Sequence, residues 1–390
     1  MKLFVIAGEP SGDALGGALM AGLRTLAPGI AFVGVGGPLM EAEGLRSLFP
    51  MAELSVMGLA EVLPKYRQLK RRIRETANAI AHEAPDAVVT VDSPDFCLRV
   101  LALARAANPR LRTIHYVAPS VWAWRPGRAA KMARVVDHVL ALLPFEPPYM
   151  TQAGMSCDFV GHPVVAQPQA SADEATIFRA GAQVREGTPL ILCLPGSRRG
   201  EVSRLLPVFR DALERVVAGH RGARIVIPTT PNVTALVRSM TAGWRGVIVL
   251  DPTLAPPAAY ARQKRAAFRA ADVALAASGT VSLELAAAGT PMVIAYRMNA
   301  ISQAIIARLL RVDSVTLVNL VSETRAVPEF IGPDCRAEAI APAIETLLGA
   351  GRAAQLAAME ATMDRLGRGG EAPGLRAARS VLSAVTRGRA

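Results

Sequence analysis

Residues 1–13 read MKLFVIAGEPSGD, and this stretch decides the fold. An apolar run, Leu3 to Ala7, breaks at Gly8 into a turn that carries Glu9, Ser11 and Asp13, and a helical pattern begins near Ala14. Strand, polar glycine turn and helix together open a doubly wound α/β domain, which holds its ligands beyond the carboxyl ends of its strands. Two carboxylates and a hydroxyl are acceptors that suit a polyhydroxylated ligand better than a bare phosphate.

Working outward, the alternation continues. Strand candidates stand at 31–35, 87–91, 113–117 and 138–142, with helical patterns over 13–26, 65–82 and 96–107. Such alternation predicts a parallel sheet with helices on both faces. Residues 162–173, HPVVAQPQASAD, are largely polar, carry two prolines and read as a linker. The plan then repeats, with strands at 189–194, 224–227, 247–250, 273–276 and 292–295. The expected fold class is therefore α/β, two tandem Rossmann-like lobes, spanning 1–168 and 169–366. The segment 367–390 offers one basic helix, 375–385, placed to pack back on the first lobe.

Composition narrows the function classes. A chain of 390 residues exceeds a single core. The longest uncharged run, 25–40, is broken by glycines and prolines, so no segment reads as membrane-spanning. The N-terminus lacks a signal-peptide core, which predicts a cytoplasmic location. Cys97, Cys157, Cys193 and Cys335 lie far apart with no metal-ligand spacing, as reduced thiols do. The net charge of +12 favours anionic partners, unless it reflects an arginine-rich proteome. No P-loop occurs, and the nearest dinucleotide fingerprint, GVGGPL at 34–39, lacks its final small residue.

Two strand-to-helix turns in the second lobe carry anion chemistry. In LPGSRRGE, 194–201, a strand delivers Gly196, Ser197 and Arg198 to a helix start. Helix N-termini attract phosphate, and arginine adds a planar fork. The plain alternative is a βα loop with a solvated arginine. In 278–284, Ser278, Gly279 and Thr280 precede a helix in which Glu284 lies one turn on, suited to accept from two ribose hydroxyls or else a surface residue.

The first lobe offers a base and an aromatic run. Asp92 and Asp95 follow a buried strand, and Asp95 reads equally as a general base or as an N-cap. HYVAPSVWAWR, 115–125, brings His115, Ser120 and Trp122 to the same sheet edge, as sugar-facing groups or as core. Leu59, Val62 and Leu63 adjoin Lys65, Arg67, Lys70 and Arg71, combining the two features of an interfacial membrane anchor. A nucleic-acid patch or a solvated helix are the competing readings, the former weakened by few interleaved aromatics.

AGEPSGD at 7–13, DSPDF at 92–96, HYVAPSVWAWR at 115–125, LLPFE at 142–146, GHP at 161–163, LPGSR at 194–198 and SGTVSLE at 278–284 closely resemble the lipid-A-disaccharide synthase family. VNL at 318–320 and VPEF at 327–330 resemble its segment near the nucleotide, although the family commonly has proline where this chain has Val318. The resemblance implies a glycosyltransferase of the B-type fold with a cleft between its lobes. It implies inverting transfer of 2,3-diacylglucosamine from its UDP derivative to 2,3-diacylglucosamine 1-phosphate (lipid X), giving a β-1,6 disaccharide 1-phosphate and UDP. It implies Asp95 as the base. The donor contacts would be Gly196, Ser197, Arg198, Ser278, Gly279, Thr280, Glu284, Asn319 and Glu329. Glu9, Ser11, Asp13, His115, Ser120 and Trp122 would line the acceptor side. No metal, cofactor or nucleic acid is implied. The acylated substrates imply work at the anionic inner-membrane surface, and an oligomer is left open. Another UDP-sugar transferase or epimerase of the same fold is the alternative enzyme, and a basic membrane-binding module the non-catalytic one.

Overall fold

The computed structural model describes the backbone of residues 1–54, 59–298 and 312–387, and the side chains there except those of 59–65 and 387. Contacts divide the chain into two units, Met1–Ala166 with Leu366–Ala390, and Gln167–Arg365.

In the first unit, β1 (Lys2–Ala7), β2 (Ala31–Val35), β3 (Ala87–Val91), β4 (Thr113–Tyr116), β5 (His138–Ala141) and β6 (Ser156–Phe159) form one sheet in the order β2-β1-β3-β4-β5-β6. Every pairing is parallel. Both faces are covered, so β3, β4 and β5 are buried along their whole length rather than alternating. Leu3, Val5 and Ala7 pack on one side with the helix Pro10–Leu26. Phe4 and Ile6 pack on the other with the helix Pro94–Ala107. Each fully buried Leu, Val, Ile or Phe among these contributes roughly 1.5–3 kcal/mol.

The second unit carries β7 (Leu190–Leu194), β8 (Arg224–Pro228), β9 (Val247–Leu250), β10 (Val273–Ala276), β11 (Met292–Tyr296) and β12 (Glu329–Ile331) in the order β12-β11-β10-β7-β8-β9, again all parallel. The expected α/β class with two Rossmann-like sheets is the one observed. The strand order reverses between β1 and β3 in one sheet and between β7 and β10 in the other. Loops leaving such neighbouring strands diverge to opposite faces and open a crevice at their carboxyl ends. The turns after β1, β3, β7 and β10 therefore form the candidate ligand edges.

Two details depart from the sequence reading. The first helix starts at Pro10, not at Asp13, because Glu9 is extended (φ −143°) and Pro10 supplies a ready helical φ at the first position. Edge strands β6 and β12 lack an aliphatic run, SCDF and EFI, and only pairing to a neighbour makes them strands. The last helix, Pro373–Arg387, crosses the first one closely: a Cβ on Gly22 would meet the Gly374 carbonyl oxygen at 2.7 Å, and one on Gly374 the Ala18 oxygen at 2.6 Å. The same helix is tied to the sheet where Ser380 Oγ donates to Asp158 at 2.6 Å and meets buried His138 Nε2 at 2.7 Å.

Candidate functional site

The second unit's edge is built from two turns. After β7 the chain bends at Gly196, whose φ of +107° and position 2.6 Å, by its would-be Cβ, from Glu201 Oε2 leave room for glycine alone. Arg198 then precedes the helix Arg199–Gly219, held by a bond from its backbone N–H to Glu201 at 3.3 Å and from its guanidinium to Glu201 at 2.9 Å. After β10, Ser278 and Gly279 lead to Thr280 and the helix Val281–Ala288. Gly196, Ser197 and Arg198 from one turn, and Ser278, Gly279, Thr280 and Glu284 from the other, line a single cavity of about 530 Å³. Two helix starts and a mostly exposed arginine converge there, and both kinds of group favour negative charge.

Two groups in this cavity had no local signal. Lys264 comes from the helix Pro257–Ala270 and donates to Glu284 Oε2 at 2.6 Å. Tyr260, on the same helix, accepts from the Thr229 N–H at 3.0 Å and donates back to the Thr229 carbonyl. Lys264 and Glu284 are twenty positions apart and meet only because their helices pack side by side. Glu284 Oε1 has no partner among the described residues, so it remains an acceptor.

Asn319 and Glu329, read as donor contacts, are not among the residues that line this cavity. Asn319 is fully buried, its amide donating to the Val327 carbonyl and accepting from the Val327 N–H, both at 2.9 Å. Glu329 accepts from Ser314 Oγ at 2.8 Å and from the N–H groups of Val315 and Thr316 at 3.1 and 2.6 Å. Both polar heads are engaged by backbone groups of nearby turns. Glu329 still reaches the site indirectly, since the turn it holds accepts from Ser278 Oγ at Val315.

In the first unit, Asp92 and Ser93 follow β3 in left-handed backbone (φ 55° and 43°), and Asp92 meets its cost by accepting from the Ser93 N–H at 2.9 Å. Ser11 Oγ donates to Asp92 Oδ2 at 3.2 Å, joining the turns after β1 and β3. Asp95 lies in the first turn of the helix Pro94–Ala107 and is exposed. Its side chain has no hydrogen-bond partner among the described residues. It borders a cavity of about 690 Å³ with Pro119, Trp124, Arg125, Arg128 and Lys131.

Three acceptor-side expectations are corrected. Asp13 is 3% exposed, and its carboxylate accepts from the N–H groups of Gly37, Leu39 and Met40 at 2.9–3.0 Å, capping the helix Pro38–Ala42. His115 is 1% exposed with Nδ1 2.7 Å from Thr90 Oγ1, and burial pushes its pKa down to about 4, so it is neutral and internal. Trp122 is turned inward, its indole N–H donating to Glu146 at 3.2 Å and its ring meeting Phe145 edge-on at 5.2 Å. Trp124, two residues on, is the tryptophan that faces the cavity. Glu9 is half-buried at the start of the first helix, and the exposed Ser120 uses its carbonyl to hold the turn at Ala123 and Trp124.

Glu146 is the residue the motif LLPFE hid. It is 4% exposed and also accepts from the N–H groups of Leu142 and Leu143 at 3.2 and 3.0 Å. Burial pushes its carboxyl up to about 7 despite these bonds. The folded-state value lies above the unfolded 4.5, so ionising Glu146 destabilises the fold: no penalty exists below 4.5, and the full penalty acts above 7. Relative to Glu146→Gln, the wild-type melting temperature should gain as pH falls from about 8 to about 5. Parallel melting curves across that range would show that the carboxylate is accommodated without cost.

Leu59, Val62, Leu63 and Lys65 have side chains outside the described residues, although the helix Leu59–Glu83 is described from its first residue. Arg67, Lys70 and Arg71 on that helix are exposed. Among the described residues no helix is long and apolar enough to cross a membrane.

Two open parallel sheets, each with its switch point, and a cavity lined by two strand-to-helix turns at one of them are the features of a B-type glycosyltransferase fold. Solved structures of that architecture match the whole chain. The UDP-GlcNAc 2-epimerase from Neisseria meningitidis, bound to UDP-GlcNAc, has a TM-score of 0.63 at 11% identity and covers 99% of this chain and 100% of its own. A glycosyltransferase from Rickettsia africae has a TM-score of 0.56 at 13% identity, covering 100% and 98%. A family model described as lipid-A-disaccharide synthetase matches residues 3–371. The lipid-A-disaccharide synthase of Ruegeria pomeroyi is 62% identical over 383 residues, 98% of this chain and 95% of that one. That of Rhodospirillum centenum is 45% identical over 390 residues, 99% and 95%. The chain belongs to the lipid-A-disaccharide synthase family, glycosyltransferases of lipid A biosynthesis.

Proposed function

We propose that the second unit holds a UDP-linked 2,3-diacylglucosamine and the first unit a 2,3-diacylglucosamine 1-phosphate. The observation that carries this reading is the cavity of about 530 Å³ where Gly196–Arg198 and Ser278–Glu284 converge. As the glycosidic bond to UDP breaks, negative charge grows on the diphosphate. Arg198 and the N–H groups opening the two helices stabilise that charge where it develops. Glu284 Oε1 accepts from the ribose, with Lys264 neutralising the other oxygen.

The acceptor's primary hydroxyl is a poor nucleophile at neutral pH. Asp95 removes its proton as the oxygen attacks the anomeric carbon, with inversion, to form the β-1,6 bond. An exposed carboxylate with no partner among the described residues keeps both oxygens available for that proton. Glu9, Ser11 and Ser120 contribute polar groups on the acceptor side. Acyl chains on both substrates require work at a bilayer surface, and the basic run Lys65–Arg71, with Leu59, Val62 and Leu63 beside it, supplies attraction to anionic lipid.

Mass spectrometry of the products from the two purified lipid precursors tests the reading. The expected outcome is a tetraacyl disaccharide 1-phosphate plus UDP, formed only with both present. Conversion of the UDP-sugar to an epimer without acceptor would overturn it.

A further inference from the structure

The cavity beside Asp95 holds more charge than a general base needs. Three cations border it, Arg125, Arg128 and Lys131, against the single carboxylate of Asp95. Other arginines of this unit are committed to carboxylates, among them Arg72, which binds Glu53 and Glu75, and Arg105, which binds Asp137. None of the three cavity cations has a carboxylate partner among the described residues. Like charges gathered in one concavity repel, and an anion entering it relieves that repulsion.

Their placement is built rather than incidental. The three recur every third residue, and Arg128 and Lys131 share one side of the helix Gly127–Met132. Arg125 stands in left-handed backbone (φ 52°) with its guanidinium 4.3 Å from the Trp124 ring centroid. Stacking on an indole fixes the planar fork in advance, so less entropy is lost when it binds. The preceding turn is held by the Trp122 bond to buried Glu146.

We propose that Arg125, Arg128 and Lys131 form a subsite for a phosphate monoester, the anomeric phosphate of the acceptor sugar. This rests on the proposed reaction and deepens it: the phosphate is not transferred but anchors the sugar whose hydroxyl Asp95 deprotonates. A monoester is close to a dianion at neutral pH, which suits three cations. A phosphodiester lipid headgroup brings one charge only.

The test uses the full chain, the single variants Arg125→Gln, Arg128→Gln and Lys131→Gln, and their combination. Titration calorimetry compares glucosamine 1-phosphate with glucosamine, and UDP binding reports that each variant is folded. Wild type is expected to prefer the phosphorylated sugar at least tenfold, each single variant to narrow the preference, and the combined variant to abolish it with UDP affinity unchanged. Flotation with phosphatidylglycerol vesicles is expected to be unaffected. Equal binding of the two sugars by wild type, or a preference that survives the combined substitution, overturns the subsite. Lost flotation with the preference intact assigns the cations to lipid headgroups and overturns it too. Phosphate preference in a protein that forms no disaccharide would leave the subsite standing and remove the reaction.

Discussion

Asp95→Asn is expected to leave UDP affinity unchanged while lowering turnover by about 10²–10⁴, the usual contribution of a positioned general base. Asparagine keeps the size and the hydrogen-bonding outline of the side chain but cannot take a proton. Asp95 is exposed and has no partner among the described residues, so the fold loses nothing that the carboxylate held. Stability should stay within about ±0.5 kcal/mol, as at other uncommitted surface positions. The proposed UDP contacts lie in the other unit, which is why the two readouts are expected to separate. Steady-state kinetics with both lipid substrates, beside calorimetry with UDP, decides the matter. Near-normal turnover in the variant would exclude Asp95 as the base.

The second large effect is on stability. Asp13→Ala should cost about 3 kcal/mol, because leaving buried donors unpaired costs about 1–3 kcal/mol apiece and relaxation recovers part of it. Three N–H groups, those of Gly37, Leu39 and Met40, depend on this one carboxylate. Alanine also leaves them without the negative charge that the start of the helix Pro38–Ala42 favours. Asp13→Asn retains one acceptor oxygen and should fall between. Denaturant unfolding followed by far-ultraviolet dichroism measures the loss. An alanine variant of normal stability with a raised acceptor KM would instead return Asp13 to the substrate side.

Asp95 and Asp13 stood in similar words, each a carboxylate just beyond an apolar strand. Their difference is decided by what lies above them. Asp13 falls inside the first helical turn, because Pro10 starts the helix three residues before periodicity alone suggests, and the loop after β2 closes over it. Asp95 also opens a helix, yet the segment passing its face, Pro119–Arg125, leaves a cavity there. Composition carries no trace of either outcome. His115 and Trp122 read as site groups because they sit in an aromatic run at a strand end. Neighbouring side chains, Thr90 and Glu146, take their polar atoms inward.

The α/β class, the strands with aliphatic runs and the two glycine-bearing turns of the second unit were legible in the residues themselves. These follow from local causes: β-branched and aliphatic runs need burial on both faces, and glycine is required where φ is positive, as at Gly196. The edge strands β6 and β12, the pairing of Lys264 with Glu284 and the inward turn of Asn319 were decided only by tertiary structure. Each depends on groups distant in the chain that compete for the same polar atoms. A buried donor or acceptor takes whichever partner the fold brings near, and sequence order does not record that distance.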